Sequence, residues 1–110
     1  MIEKMMERVA ILADLPVPDT TPVVREVPWQ DLWKQRPGVW ALYLKAGDHG
    51  PAEIVHAPGY AHLIVHEFCH HAQQEAGEKP ASPECEQQAY RVQAIYFRLF
   101  PEDFVKEWMP

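Results

Sequence analysis

Two histidines stand four residues apart, with a glutamate directly after the first, in His66-Glu67-Phe68-Cys69-His70. On a helix, residues i and i+4 lie one above the other on the same face, so the two imidazoles can reach one metal ion. A carboxylate beside the first of them can take a proton from water at that ion. H-E-x-x-H on a helix therefore predicts zinc-assisted hydrolysis, usually of a peptide bond. It also constrains the fold, because this stretch must be helical and must keep one face clear of the core. With six histidines in the chain, a shuffled sequence would show the pattern roughly three times in a hundred, so its context has to decide.

The context is a helix. Tyr60–Glu75 contains no Gly or Pro, and Pro58-Gly59 before it and Gly77 after it are stop signals. At about 100° per residue, Ala61, Ile64, Val65, Phe68 and Ala72 fall on one side, and Leu63, His66, Glu67, His70 and Gln74 on the other. An ordinary amphipathic helix explains polar residues on that side, but not two histidines and a glutamate in this order. Catalytic zinc takes three protein ligands and keeps a position open, which calls for a third ligand downstream. Ser82-Pro83-Glu84 reads as a helix start, with Ser as N-cap, Pro at the first helical position and an acid in the first turn. That helix runs to about Leu99. Glu84 and Glu86 differ by about 200° around it, so only one can face the metal. Glu86, which shares its face with Tyr90, Gln93 and Phe97, is the expected ligand.

His66-Glu67-x-x-His70 followed by Glu86-x-x-Ala89 resembles the gluzincin metallopeptidases. The small size and the short sheet ahead of the motif are similar to the minigluzincins. They are also similar to short, often phage- or prophage-encoded metallopeptidases with a V-H-E..H..Q helix and an E..A-Y..Q helix. Here these are Val65-His66-Glu67, His70 and Gln73, then Glu86, Ala89-Tyr90 and Gln93. The likeness covers roughly Pro22 to Phe97 in layout, with its specificity in the two helices. It implies one zinc ion held by His66, His70 and Glu86, with Glu67 as general base. It also implies a peptide or protein substrate paired along a sheet edge, here Val39–Leu44. Tyr90 and His62 are the candidates for stabilising the oxyanion. The pattern departs from the family at one place: many gluzincins orient a ligand histidine with an Asp four residues after the ligand Glu, where this chain has Tyr90.

The rest of the chain is expected to serve this site as one domain spanning 1–110. A formal net charge of −6 and the lack of a basic run argue against nucleic acid or an anionic membrane as partner. The N-terminus, Met1 to Arg8, carries acids and no long apolar run, so it is not a secretory signal, and a cytoplasmic location (that of the host cell if phage-encoded) is expected. Cys69 and Cys85 each precede an expected ligand. They are read as small buried residues, as a disulfide clamping the two helices, or as a source of a fourth, structural ligand; a reducing compartment favours the first.

Ile2–Leu15 is predicted as a packing helix, followed by a linker stiffened by Pro16, Pro18 and Pro22. Strands are expected at Val23–Val27, Val39–Leu44 and Glu53–His56, the last two as a hairpin. Trp29–Gln35 reads as a short helix whose Trp29 and Trp33 lid the core rather than bind substrate. His71 is placed at the surface or behind the ligands, His56 as a satisfied polar residue and His49 in a loop. Gln73 and Gln74 are either partners of the ligands or solvated. After Pro101, Phe104, Val105 and Trp108 are expected anchors. The fold class is α+β: a small three-stranded mixed sheet against the H-E-x-x-H helix and the glutamate helix, with helices on one sheet face. Two other functions fit the same residues. One is a non-catalytic, zinc-stabilised interaction module; the other is a latent peptidase whose cleft is blocked by Phe104–Pro110.

Overall fold

The computed structural model describes residues 2–104. Helix α1 (Ile2–Leu12) leads through the proline-rich linker to β1 (Val23–Glu26) and α2 (Trp29–Gln35). The hairpin of β2 (Ala41–Leu44) and β3 (Glu53–His56) follows. A 3-10 turn at Ala61–Leu63 opens α3 (Ile64–Glu75), and α4 (Pro83–Leu99) ends in a second 3-10 turn at Pro101–Phe104. The sheet has the order β1-β3-β2, with β1 parallel and β2 antiparallel to β3. This is the expected α+β arrangement with a three-stranded mixed sheet. It leaves β2 at an edge.

Side chains alternate across the central strand, so both sheet faces need cover. Ile54 points into the main core with Met6 and Val9 of α1, Val65, Phe68 and Ala72 of α3, and Val92 and Tyr96 of α4. Val55 points the other way, to Leu32 of α2 and Ala57, beneath Trp33 and Trp40. Helices are therefore not confined to one face: α2 covers the second because β3 is apolar on both sides. Trp29 and Trp33 meet edge to face at 5.0 Å, Trp40 stacks on Tyr60 at 4.7 Å, and the Trp33 indole N–H donates to the Val39 carbonyl at 2.9 Å. The pair is a lid on this smaller core, as its spacing suggests.

Helix ends follow backbone chemistry more closely than apolar periodicity. Helix α1 stops three residues before the predicted Leu15. Asp14 turns left-handed (φ 57), and the N–H groups of Asp14 and Leu15 return to the carbonyls of Ile11 and Ala10. Asp is among the few residues that tolerate this conformation. Gly77 (φ 83) closes α3 the same way, with Glu78 N–H reaching back to the Gln73 carbonyl at 2.9 Å. At the start of α4 the Ser82 hydroxyl accepts from Cys85 N–H at 3.3 Å, with Pro83 in the first turn. Val39 and Trp40 precede β2, although the Trp40 carbonyl still accepts from Ala57 N–H at 2.9 Å. Phe104 is the buried anchor expected, packed on Tyr96 and Phe97. Val105 and Trp108 lie outside the described residues, as does the blocking tail beyond Phe104. No helix among the described residues is long and apolar enough to cross a membrane.

A polar clasp joins the chain's two ends. The buried Tyr96 hydroxyl donates to Asp103 at 2.5 Å, and Asp103 pairs with Arg8 at 3.2 Å. Burial, and then the bond to Asp103, push the Tyr96 phenol up to about 12; burial does the same to Tyr43, also to about 12. An unfolded tyrosine ionises near pH 10. The stability these phenols carry is thus complete below about pH 10 and is lost as pH rises through their folded values near 12. Thermal melts should show Tm falling across that window. Tyr96→Phe should shallow the fall while lowering stability at neutral pH by about 1 kcal/mol, the net worth of a typical hydrogen bond.

Candidate metal centre

Helix α3 reaches the site because its apolar side is anchored. With Val65, Phe68 and Ala72 in the core, His66 and His70 turn toward a cleft under β2, each only 8% exposed. Helix α4 packs against α3 and brings Glu86 to the same point. His66 Nε2 lies 3.1 Å from His70 Nε2 and 3.3 Å from Glu86 Oε1, and His70 Nε2 lies 2.5 Å from that oxygen. Tetrahedral ligands bound at 2.0–2.1 Å sit roughly 3.3 Å apart. Two edges of the triangle have that spacing, and the third draws the carboxylate onto His70.

The tautomers show what these atoms need. The Gln73 amide nitrogen lies 2.9 Å from the Cys85 carbonyl and 2.8 Å from Gln88 Oε1, and a backbone carbonyl can only accept. The amide orientation follows from this network, so Gln73 Oε1 is the atom 2.9 Å from His70 Nδ1. That nitrogen must carry the proton, which leaves the Nε2 lone pair facing His66 and Glu86. Burial, and next the neighbouring His70, hold the His66 pKa below its ordinary value, which favours the neutral imidazole that binds metals. Acceptors that converge in this way fit a cation.

Glu67 completes the group. Donor atoms of His66, Glu67 and His70 lie within 4.8 Å of one another, a set able to hold a metal ion. Burial first, and the charge of Glu86 second, push the Glu67 carboxyl up to about 8; the nearby Tyr43 backbone N–H and the Arg36 guanidinium act in the opposite sense. The open cleft around these residues has a volume of about 530 Å³ and is walled by Arg36, Trp40, Leu42, Pro80 and Tyr90.

Tyr90 is 62% exposed, with its ring edge-on to His66 at 4.5 Å. His62 instead sits beside Tyr60 and Phe97, at 5.9 and 6.0 Å, and does not line the cleft. The cysteines are free thiols, both buried, rather than a disulfide. Burial pushes Cys69 up to about 12, far from thiolate character, and neither cysteine joins the metal-capable group. This favours the small-buried-residue reading. His71 is not at the surface: it is 2% exposed, with Nε2 donating to the Thr20 carbonyl at 2.9 Å and Nδ1 accepting from the Tyr43 hydroxyl at 2.8 Å. It pins the linker and β2 to α3. His56 is buried, with Nδ1 3.0 Å from the Ala57 carbonyl oxygen, and His49 lies in the hairpin loop.

Sequence reasoning missed Arg36 and the Tyr43 amide. Arg36 is merely the residue after α2, and its place in the cleft depends on how β2 lies across α3; no local pattern signals it. No protein-family model, curated protein or solved structure matches the chain.

The full chain should bind one divalent metal ion. His66→Ala, His70→Ala and Glu86→Ala should each abolish retention through dialysis, whereas Cys85→Ala should not, as measured by elemental analysis. Loading the wild type should raise Tm, and a chelator should reverse the rise.

Proposed function

We propose that this chain is a zinc-dependent peptidase that cleaves extended polypeptide segments. The observation that carries this reading is the convergence of His66, His70 and Glu86 with Glu67 at the rim of an open cleft. Two imidazoles and one carboxylate suit zinc, and three protein donors leave a position for water. When bound, zinc supplies Lewis acidity, which acidifies water toward a pKa of ~7 and polarises a carbonyl.

The chain's own residues supply the rest. Glu67 accepts the proton of the attacking water and returns it to the leaving amine. It shares the cleft with Tyr43 of the edge strand, so the base borders the substrate path. Because the Trp40 carbonyl bonds to Ala57 on β3, strand alternation turns the main-chain groups of Ala41 and Tyr43 outward. These outward main-chain groups are free of β3 and can pair with an extended peptide. The Tyr90 hydroxyl, on the same helix as Glu86, serves as the oxyanion donor.

A purely structural zinc site would seal its coordination sphere with a fourth protein ligand and would have no use for Glu67. The cleft beside these donors favours chemistry instead.

Glu67→Gln should lower hydrolysis of an unstructured peptide by about 100-fold or more while zinc content stays at one ion per chain. Equal hydrolysis by the two proteins would remove Glu67 from the mechanism. Zinc uptake without hydrolysis in either would leave the interaction module as the function.

A further inference from the structure

We propose that Gln73 and Gln93 are a matched pair of positioning residues: each side-chain carbonyl holds one ligand imidazole through its Nδ1–H, so that both Nε2 lone pairs point to the metal. The His70 half is closed, with Nδ1 2.9 Å from Gln73 Oε1. Behind it runs a hydrogen-bond chain with a single possible polarity. The Ala13 carbonyl accepts from Gln88 Nε2 at 2.9 Å, Gln88 Oε1 accepts from Gln73 Nε2 at 2.8 Å, and Gln73 Oε1 accepts from His70.

The His66 half is assigned by elimination. Among the described residues, the buried side-chain nitrogen and oxygen atoms without a hydrogen-bond partner are His66 Nδ1 and Gln93 Oε1. One can donate and the other can only accept. A buried polar group left unpaired is costly, and here each orphan is the complement of the other. Gln93 follows Glu86 by seven residues, two turns along α4, so it shares the face that carries the ligand. Both His66 and Gln93 line the same cleft, and the present geometry is too open to close the bond between them.

The pairing also accounts for Tyr90. Its ring packs edge-on against His66 at 4.5 Å, so the position one turn after Glu86 is taken by a wall for the imidazole. The acceptor comes from the next turn instead. A carboxamide accepts the N–H without adding a negative charge beside the two carboxyl groups already there, Glu67 and Glu86. Ligand histidines generally donate their second ring N–H to such an acceptor, which orients the ring.

The inference rests on the metal reading of this site only for its consequence, zinc affinity; the hydrogen bonds stand without it. Gln93 is the residue to change, because Gln73 also ties α3 to the Cys85 carbonyl and its loss would disturb the fold. Long-range proton–nitrogen spectra of the imidazoles should be recorded on the full chain, with and without added zinc, for wild type, Gln93→Leu and Gln93→Glu. His66 should be the Nδ1–H tautomer in wild type and Gln93→Glu, and a mixture in Gln93→Leu. Zinc affinity should fall by about 10–100-fold in Gln93→Leu and stay within about threefold of wild type in Gln93→Glu. An Nε2–H tautomer in the wild type, or equal zinc affinity in the Leu and Glu variants, would overturn the assignment. A wild type with the Nδ1–H tautomer but no zinc uptake would support the pairing and refute the metallopeptidase reading.

Discussion

Two imidazole nitrogens and a carboxylate oxygen that approach within 3.3 Å of one another demand a positive charge, a shared proton or a metal ion, to hold them together. That demand, set by His66, His70 and Glu86, organises the molecule. It requires α3 and α4 to pack at one separation and rotation, and the interface between them does so with Phe68, Ala72, Ala89 and Val92. Polar contacts add the register that apolar packing lacks: Gln73 reaches across to the Cys85 carbonyl, one residue before Glu86 on α4. Core and site are thus the same interface seen from its dry and wet sides. In a chain this short the core is modest, so an ion held here would add folding energy where the two helices meet.

The sheet serves that interface. Its central strand is apolar on both faces, so one face holds the helix pair and the other needs α2 and its tryptophans. The edge strand β2 is then fixed over α3 by the bond from the Tyr43 hydroxyl to the buried His71.

Much of this was legible in the sequence, and the reason differs by residue. Side chains on a helix obey a fixed angular spacing, so the approach of His66, His70 and Glu86, rather than Glu84, to one point could be read from periodicity and capping alone. The strands were legible because prolines and glycines bracket them. Residues whose roles arise between distant segments were not. His71 has its partners in the linker and in β2, so its angle on α3 says only that it is not a ligand. Arg36 enters the cleft only once β2 crosses α3. Gln73 shows in sequence as a polar residue near a helix end, although its amide is fully buried. The early stop of α1 was missed because apolar periodicity continues through Ala13, while the left-handed turn at Asp14 ends the helix.

That turn reaches further than a helix end. It sets the direction of the Ala13 carbonyl, and the Ala13 carbonyl is where the chain of amides leading to His70 begins. A β-branched residue at position 14 would resist the left-handed backbone and swing the carbonyl away from Gln88. Evolutionary drift at this exposed surface position should therefore be confined to Gly, Asn and Asp, by a tolerance imposed from the far side of the protein.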